Sequence, residues 1–400
     1  MGSNTQLLDG ITVVDLSTFV TGGFCSLMLA NQGADVIKVE RPGYGDDIRH
    51  SGPPLIDGES PYYWTINYDK RSVELDLKSD AGKDALYDLV AEADVFIQNF
   101  RPGTADRLDV GYDDLRERNE DIVYCDISAF GDSGPWSERP GYDLLVQGLS
   151  GIMSVTGESD GKPVKVGLPQ TDLITAMWAA FGIMGALYRR SITGEGERVE
   201  LGMLDATLPW LTKQAGKVFA GETPERMGTK DPVLAPYQTF ETSDSHLNVA
   251  CLNQKLWRAF CEAIDRPDLF EDDRFEENAD RVENMDELEA EISGTLRERT
   301  TDEWMDRLID AGVPAAPVQD VDEALYNEQT EAREMVRVME DDGREIPVIE
   351  HPLNFEHTES GFDEAPPALG EHTREVFREL GYSPDQLDQL AAQGAFGDPE

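Results

Sequence analysis

The sequence predicts an α/β fold, with an open, mostly parallel sheet in a larger domain and a smaller α+β domain inserted into it. Two observations carry this. Apolar runs of strand length alternate with helix-like stretches from Gly10 to Gly131, and near Gly216 that pattern gives way to acidic amphipathic helices, with strand and turn returning from Ile346. Strands that alternate with helices are joined by crossovers, which makes them parallel and covers both faces of the sheet.

The first unit reads ITVVDL as strand, TFVTGG as turn, FCSLMLANQG as helix and ADVIKVE as strand. SVELDL, the helical KSDAGKDALYDLVAEA and DVFIQNF repeat it, followed by helical DDLRERN and strand-like DIVYCDISAFG. The loops TFVTGG, ERPGYGDDIR, NFRPG and AFGDSGPW then lie at the carboxyl ends of strands, where such sheets bind ligands. VGLPQTDLITAMWAAFGIMGALYRR predicts a turn and a long apolar helix. Beyond the loop Thr223 to Pro236 come a strand, QTFETSDSHLNVAC, the helices KLWRAFCEAI, MDELEAEISGTLRE and DEWMDRLIDAG, an amphipathic DEALYNEQTEAREMV and a final helix, EHTREVFRELG. These assign 1–215 to the N-terminal part of the larger domain, 216–236 and 321–345 to linkers, 237–320 to the smaller domain and 346–400 to the returning part.

The net charge of -46 comes from 80 acids against 34 bases, of which only ten are Lys. Dense carboxylate with little lysine marks a salt-adapted surface, since molar salt shortens the screening length to about 3 Å. It argues against nucleic acid or anionic membranes as partners. Cys25, Cys125, Cys251 and Cys261 form no CxxC pair, and the five His show no metal-ligand spacing, so no metal and a reduced, cytoplasmic compartment are expected. No signal peptide is evident, and the apolar run Leu173 to Tyr188 falls short of the roughly 20 residues of a membrane span.

Thr21-Gly22-Gly23 and Glu40 have the outline of a dinucleotide fold, but TGGFCS lacks the G-x-G-x-x-G fingerprint. Arg41, Arg49, Lys70, Arg71, Lys78, Arg101 and Arg107 sit at or beyond strand ends. Singly they read as surface ion pairs, and together as a site for a phosphorylated ligand. In NFRPG a flat aromatic beside an amide and a guanidinium suits an adenine, and a packed Phe is the plain alternative. Asp172 is the one acid between Gly161 and Gly194, against roughly seven at the chain's average density. Helix N-cap, buried ion-pair partner and chance are its bland readings. Its chemical reading is a nucleophile: a helix start holds its charge while apolar neighbours strip its hydration.

From about Leu8 to Phe396 the ordered set LDGITVVDLST, GADVIKVERPGYGDDIR, KRSVELDLK, ADVFIQNFRPG, YCDISAFGDSGPW, PGYDLLVQGLSGIMSVTG, the PQTDLITAMWAAFGIMGALYRRSITGEGERVELGMLDA block, GVPAAPV and LGEHT resembles the family III CoA-transferases, or CaiB/BaiF family. The resemblance implies a Rossmann-like large domain, a small domain on two linkers and homodimers of interlocked rings. It implies that Asp172 is the catalytic nucleophile, passing through an acyl-aspartyl anhydride and an aspartyl-CoA thioester. It also implies that Phe19, Val20, Thr21, Arg41, Leu75, Lys78, Asn99, Phe100 and Arg107 contact coenzyme A, which is a substrate moiety and not a resident cofactor.

The implied substrates are an acyl-CoA donor, succinyl-CoA or another dicarboxylyl-CoA, and a carboxylic acid acceptor such as mesaconate, malate or citramalate. This chain departs from some members: Val20 stands where they have Gln, Pro140 where they have Lys, and RMGTKDPVLAPY lacks a glycine-rich lid. A racemase branch pairs the aspartate with the His of a Gly-His-Asp triplet. Here the triplet is Gly141-Tyr142-Asp143, and a phenol with pKa near 10 is a poor base, which favours the transferase. A CoA-binding protein without catalysis is the remaining alternative.

Overall fold

The computed structural model describes residues 6–52, 54–56, 58–341, 343–358 and 364–396, so the extreme ends of the predicted 1–215 and 346–400 segments lie outside the described residues. The chain divides into two compact units. One comprises 1–150, 166–212 and 328–400, the other 151–165 and 213–327. The segment 151–165, assigned from sequence to the larger domain, thus clusters with the second unit.

The first unit is built on six parallel strands: β1 (Thr12–Asp15), β2 (Asp35–Glu40), β3 (Arg71–Glu74), β4 (Val95–Gln98), β5 (Val123–Ser128) and β6 (Glu197–Gly202). Their order is β3-β2-β1-β4-β5-β6, with Val13 level with Val36 on one side and Val95 on the other. Alternation along β1 feeds two cores. Val14 packs with Ile37, Val73, Leu89 and Phe96, and Phe377 of the C-terminal segment joins that face. Val13 packs with Cys25, Val95, Cys125 and the small-residue face of the helix Gln170–Thr193, through Ala176, Ala179, Ala180 and Ile183. That long helix meets the length and composition of a membrane span, yet half of the qualifying window is buried, and its Ala face lies in this core. The predicted strands and the long helix of this unit are therefore present, and the sheet expected to be mostly parallel is parallel throughout. The chain order reverses between β1 and β4, and the crevice at a reversal is where open α/β sheets hold ligands.

TFVTGG differs from expectation. It is not a loop: helix α1 (Phe19–Ala30) begins at Phe19, directly after β1. The glycines serve close packing. A Cβ on Gly22 would lie 2.2 Å from the Cβ of Ser17 at the end of β1, so only Gly lets the helix fold back onto its own strand. Edge strand β3 is covered by the predicted LGEHT piece: His372 N donates to Ser72 O at 3.0 Å, and Glu74 N donates to Thr373 Oγ1 at 3.0 Å. A Cβ on Gly370 would meet Glu74 Oε2 at 2.5 Å.

In the second unit, QTFETSDSHLNVAC is a hairpin and not one strand. Tyr237–Glu241 and His246–Ala250 pair antiparallel around a turn closed by Thr242, and Ala315–Pro317 adds a third strand. The amphipathic helices pack Trp257, Phe260, Ile292, Trp304 and Leu308 against this sheet. The amphipathic stretch DEALYNEQTEAREMV is divided between two short turns, Val321–Leu325 in this unit and Glu328–Ala332 in the first.

Gly22→Ala should lower the unfolding free energy by about 1–3 kcal/mol, read from denaturant midpoints at high salt. Gly167→Ala, whose added methyl meets nothing, should stay within about 0.5 kcal/mol.

Candidate active site

Asp172 is the third residue of the helix Gln170–Thr193 and lies in its first turn, so it is not the N-cap; Pro169 occupies that position. Two polar groups, one half-buried and one buried, hold the turn. Asp143, at the start of the helix Asp143–Leu149, accepts from Thr171 N at 2.9 Å and from Thr171 Oγ1 at 2.8 Å. Gln147, fully buried, donates to Asp143 Oδ2 at 2.7 Å and accepts from Val166 N at 2.8 Å, which fixes the chain leading into the helix. From the other side Thr21, in the first turn of α1, donates its hydroxyl to Asp172 Oδ1 at 2.6 Å.

Burial dominates the electrostatics of Asp172. It lifts the carboxyl to about 6, helped by the charge of Asp143 and opposed by the Thr21 hydroxyl. Stabilisation by a helix start is worth about 0.3–1 kcal/mol, too little to offset that desolvation. The expectation that the helix keeps this acid fully ionised is therefore corrected: near pH 6 it is half protonated, and at higher pH it is an ill-solvated carboxylate, the state that favours nucleophilic attack. Tyr62, 39% exposed, lies near enough that its hydroxyl is pushed up to about 12 by partial burial and then by the charges of Asp172 and Asp143, so it stays protonated and able to donate.

Tyr62 and Asp143 escaped the sequence expectations. For Tyr62 the available signal was Ser60-Pro61, a capped helix start with Ser60 Oγ accepting from Tyr62 N at 3.2 Å, but nothing local says which side chain that helix presents. In Gly141-Tyr142-Asp143 the member beside Asp172 is Asp143, whereas Tyr142 is 61% exposed.

The residues expected to touch CoA line the carboxyl edge of the sheet, following β1, β2, β3 and β4 in turn, and divide into two sets. Phe19, 40% exposed, with Arg41, Lys78 and Arg107, all exposed, are open to a ligand. Arg41 lies 4.6 Å over the Tyr44 ring and pairs with Asp47, and Arg107 donates to Thr104 Oγ1. Val20 and Leu75 are buried, and Phe100 is partly buried against the sheet core. Asn99 is engaged by backbone, accepting from Thr18 N at 2.9 Å and donating to Thr18 O at 2.7 Å.

Three of the cations read from sequence as ligand-facing are structural. Arg49 forks onto Glu40 at 2.7 and 2.8 Å and stacks on Tyr63, Lys70 is enclosed with Asp15, and Arg71 is paired to Asp35 and Glu379. Arg101 stays exposed. Arg139, considered as a substitute for a lysine, stacks 4.8 Å over Trp136. The stretch Met227 to Lys230 is pinned inside the second unit, where Lys230 pairs with Asp286 and Glu289 at 2.7 and 2.8 Å.

A raised carboxyl pKa carries a stability cost of definite sign. Below about pH 4 Asp172 is protonated both folded and unfolded and costs nothing; as pH rises through about 6 the folded state must bury a charge the unfolded chain keeps in water. Asp172→Asn should therefore stabilise the protein above pH 6, by on the order of 3 kcal/mol at most, with the gain gone below pH 4. Denaturant titrations across that range check it.

The model of CoA-transferase family III matches residues 8–373. The succinyl-CoA:mesaconate CoA-transferase of Haloarcula hispanica is 37% identical over 385 residues, covering 94% of this chain and 96% of that protein. The succinyl-CoA:glutarate CoA-transferase of Mus musculus is 33% identical, over 97% of this chain and 89% of that one. The crystal structure of a CAIB/BAIF family protein from Brucella suis superposes with a TM-score of 0.87 at 35% identity, covering 94% of this chain and 100% of that chain. With the parallel sheet, the aspartate at the start of the long helix and these similarities in agreement, the chain belongs to the family III CoA-transferases.

Proposed function

We propose that the enzyme moves CoA from succinyl-CoA, or another dicarboxylyl-CoA, to a carboxylic acid such as mesaconate, malate or citramalate, with Asp172 as the covalent carrier. The observation that carries this is the desolvated Asp172 carboxylate facing the Thr21 hydroxyl at the carboxyl edge of the sheet. The names of the relatives from Haloarcula hispanica and Mus musculus support succinyl-CoA as donor. The acid-rich composition supports a high-salt setting, and the four cysteines without CxxC pairing support a reduced, cytoplasmic one.

A carboxylate oxygen of Asp172 attacks the thioester carbonyl, the C–S bond breaks, and an acyl-aspartyl anhydride forms with free CoA thiolate. The thiolate attacks the Asp172 carbonyl carbon and expels the donor carboxylate, leaving an aspartyl-CoA thioester. The acceptor carboxylate displaces the thiolate to form a second anhydride. Attack of the thiolate on the acceptor carbonyl yields the new acyl-CoA and returns Asp172 as carboxylate. No net proton is consumed, so what the site must supply is charge stabilisation and exclusion of water. Thr21, protonated Tyr62 and the N–H groups of Val20 and Thr21 in the first turn of α1 are the donors at hand, since Phe19 N is taken by Asp46. Epimerisation would need a second base beside Asp172; Tyr62 is held protonated and Tyr142 is turned to solvent.

A homodimer is part of the proposal. Phe181, Tyr188 and Ile192 stand 72%, 71% and 68% exposed on the long helix, an apolar stripe that a second copy would cover.

Incubation at high salt with labelled succinyl-CoA and a panel of acids, following CoA esters by mass, should show label in the donor acid and a new ester. Absence of exchange with every acid would sink the transferase, and deuterium uptake at C2 of a 2-methylacyl-CoA would favour the epimerase instead. Asp172→Ala should lose at least about a thousandfold in rate; undiminished turnover would leave Asp172 with no covalent role. Because the ionised form reacts, the first half-reaction should rise with pH through about 6 and then level, and Thr21→Val, which removes a donor to the charged form, should move that midpoint upward. Phe181→Glu combined with Tyr188→Glu should shift the sedimentation of the protein from dimer to monomer.

A further inference from the structure

The backbone entering the active site contains one outlier. Phe19, the first residue of α1, has φ +59, the left-handed region that a bulky L-residue adopts only when its surroundings enforce it. The enforcing groups are all within reach. Thr18 is clasped on both backbone groups by Asn99 at the end of β4, across the point where the strand order reverses. Phe19 N donates to Asp46 Oδ1 at 3.0 Å. Asp46 Oδ2 lies 2.9 Å from Lys38 Nζ, with both side chains shut off from solvent, and Lys38 Nζ also donates to Ser17 O at 3.1 Å. Ser17, Thr18 and Phe19 are thus gripped one after another, and Thr21, two residues on, is the residue that reaches Asp172 at 2.6 Å.

We propose that Asp46, braced by Lys38, and Asn99 are positioning residues for the reaction at Asp172: they hold the left-handed turn at Phe19, and the turn aims the Thr21 hydroxyl at the carboxylate. This rests on Asp172 as the nucleophile and goes further, because it gives Asn99 a backbone clasp and the buried Lys38–Asp46 pair a role in the chemistry. Releasing the turn swings the start of α1, and displacements of about 1 Å at a reacting centre are enough to cost on the order of a hundredfold in rate. Burial of the pair keeps the grip when salt screens exposed charges.

Asn99→Ala is the primary test, since it removes the clasp without stranding a buried charge. It should lower kcat at least about tenfold while KM for the CoA ester stays within about threefold. It should also raise the titration midpoint of Asp172, followed as the infrared carboxyl band that Asp172→Asn abolishes, because the ionised form loses its Thr21 donor. Asp46→Asn retains an oxygen for Phe19 N and should keep more kcat per folded molecule than Asp46→Ala. Values of kcat and of the Asp172 midpoint in Asn99→Ala and Asp46→Ala indistinguishable from the parent enzyme would overturn the inference. If the parent enzyme transfers no CoA at all, the proposed function fails, and the infrared titration still decides whether these residues position Asp172.

Discussion

Beneath the end of β1 lies a closed group of charges on which the placement of β1, β2 and the start of α1 at the active site depends. Asp15 is fully buried. Burial by itself would push its carboxyl up, but Lys38 and Lys70, with the hydroxyls of Ser17 and Ser26, outweigh it and carry it down to about 2. Its two cations fare differently. Lys38 shares Asp15 and also owns Asp46, so its ammonium is held charged against burial; Lys70 finds mainly neutral acceptors, Gly23 O and Asn67 Oδ1, and burial draws it down to about 8. Removing one member of such a group typically costs about 3–5 kcal/mol, because it strands the partner in a dry interior. Strand β1, strand β2 and the beginning of α1 are joined through these side chains more specifically than apolar packing alone would join them.

Above this group the site uses the opposite physics. Asp15 is desolvated and compensated, Asp172 is desolvated and left nearly uncompensated. A single hydroxyl faces Asp172, with a second carboxylate nearby, and the result is an acid whose charged form is poorly stabilised in the resting protein. An attacking carboxylate that gives up little on leaving its environment has less to lose in the transition state. The fold carries the resulting instability on the rigid start of a 24-residue helix whose other side is buried among alanines.

The parts of this arrangement visible in the sequence are those written in local pattern. Val13, Val36, Val95 and Val123 sit in apolar runs whose alternation with helices gives the sheet, and Asp172 stands out because its neighbours are apolar. Partner choice is not local. Arg49, Lys70 and Arg71 read as ion pairs or a phosphate site at strand ends, and only the folded chain shows which acids, Glu40, Asp15 and Asp35, take them. Asn99 suggests a ligand contact, and only the placement of β1 beside β4 brings Thr18 to both of its amide groups. Gly22 and Gly23 suggest a turn, whereas the distance to Ser17 reveals a packing requirement. Tyr62 and Asp143 each reach the site from a helix whose facing no short window of sequence specifies.

The cover on β3 bears on how the protein comes into being. Ser72 receives Gly370 N on its hydroxyl and offers its own N–H to His372 Nδ1, contacts that span 298 and 300 residues of chain. A strand edge with unpaired N–H and C=O groups is a template for joining another chain. During synthesis β3 emerges early, and its partner comes almost last, at about 5–20 residues per second. For the interval between, the nascent sheet keeps an open side, and acquiring the C-terminal strap is a late, non-local closure that slows folding.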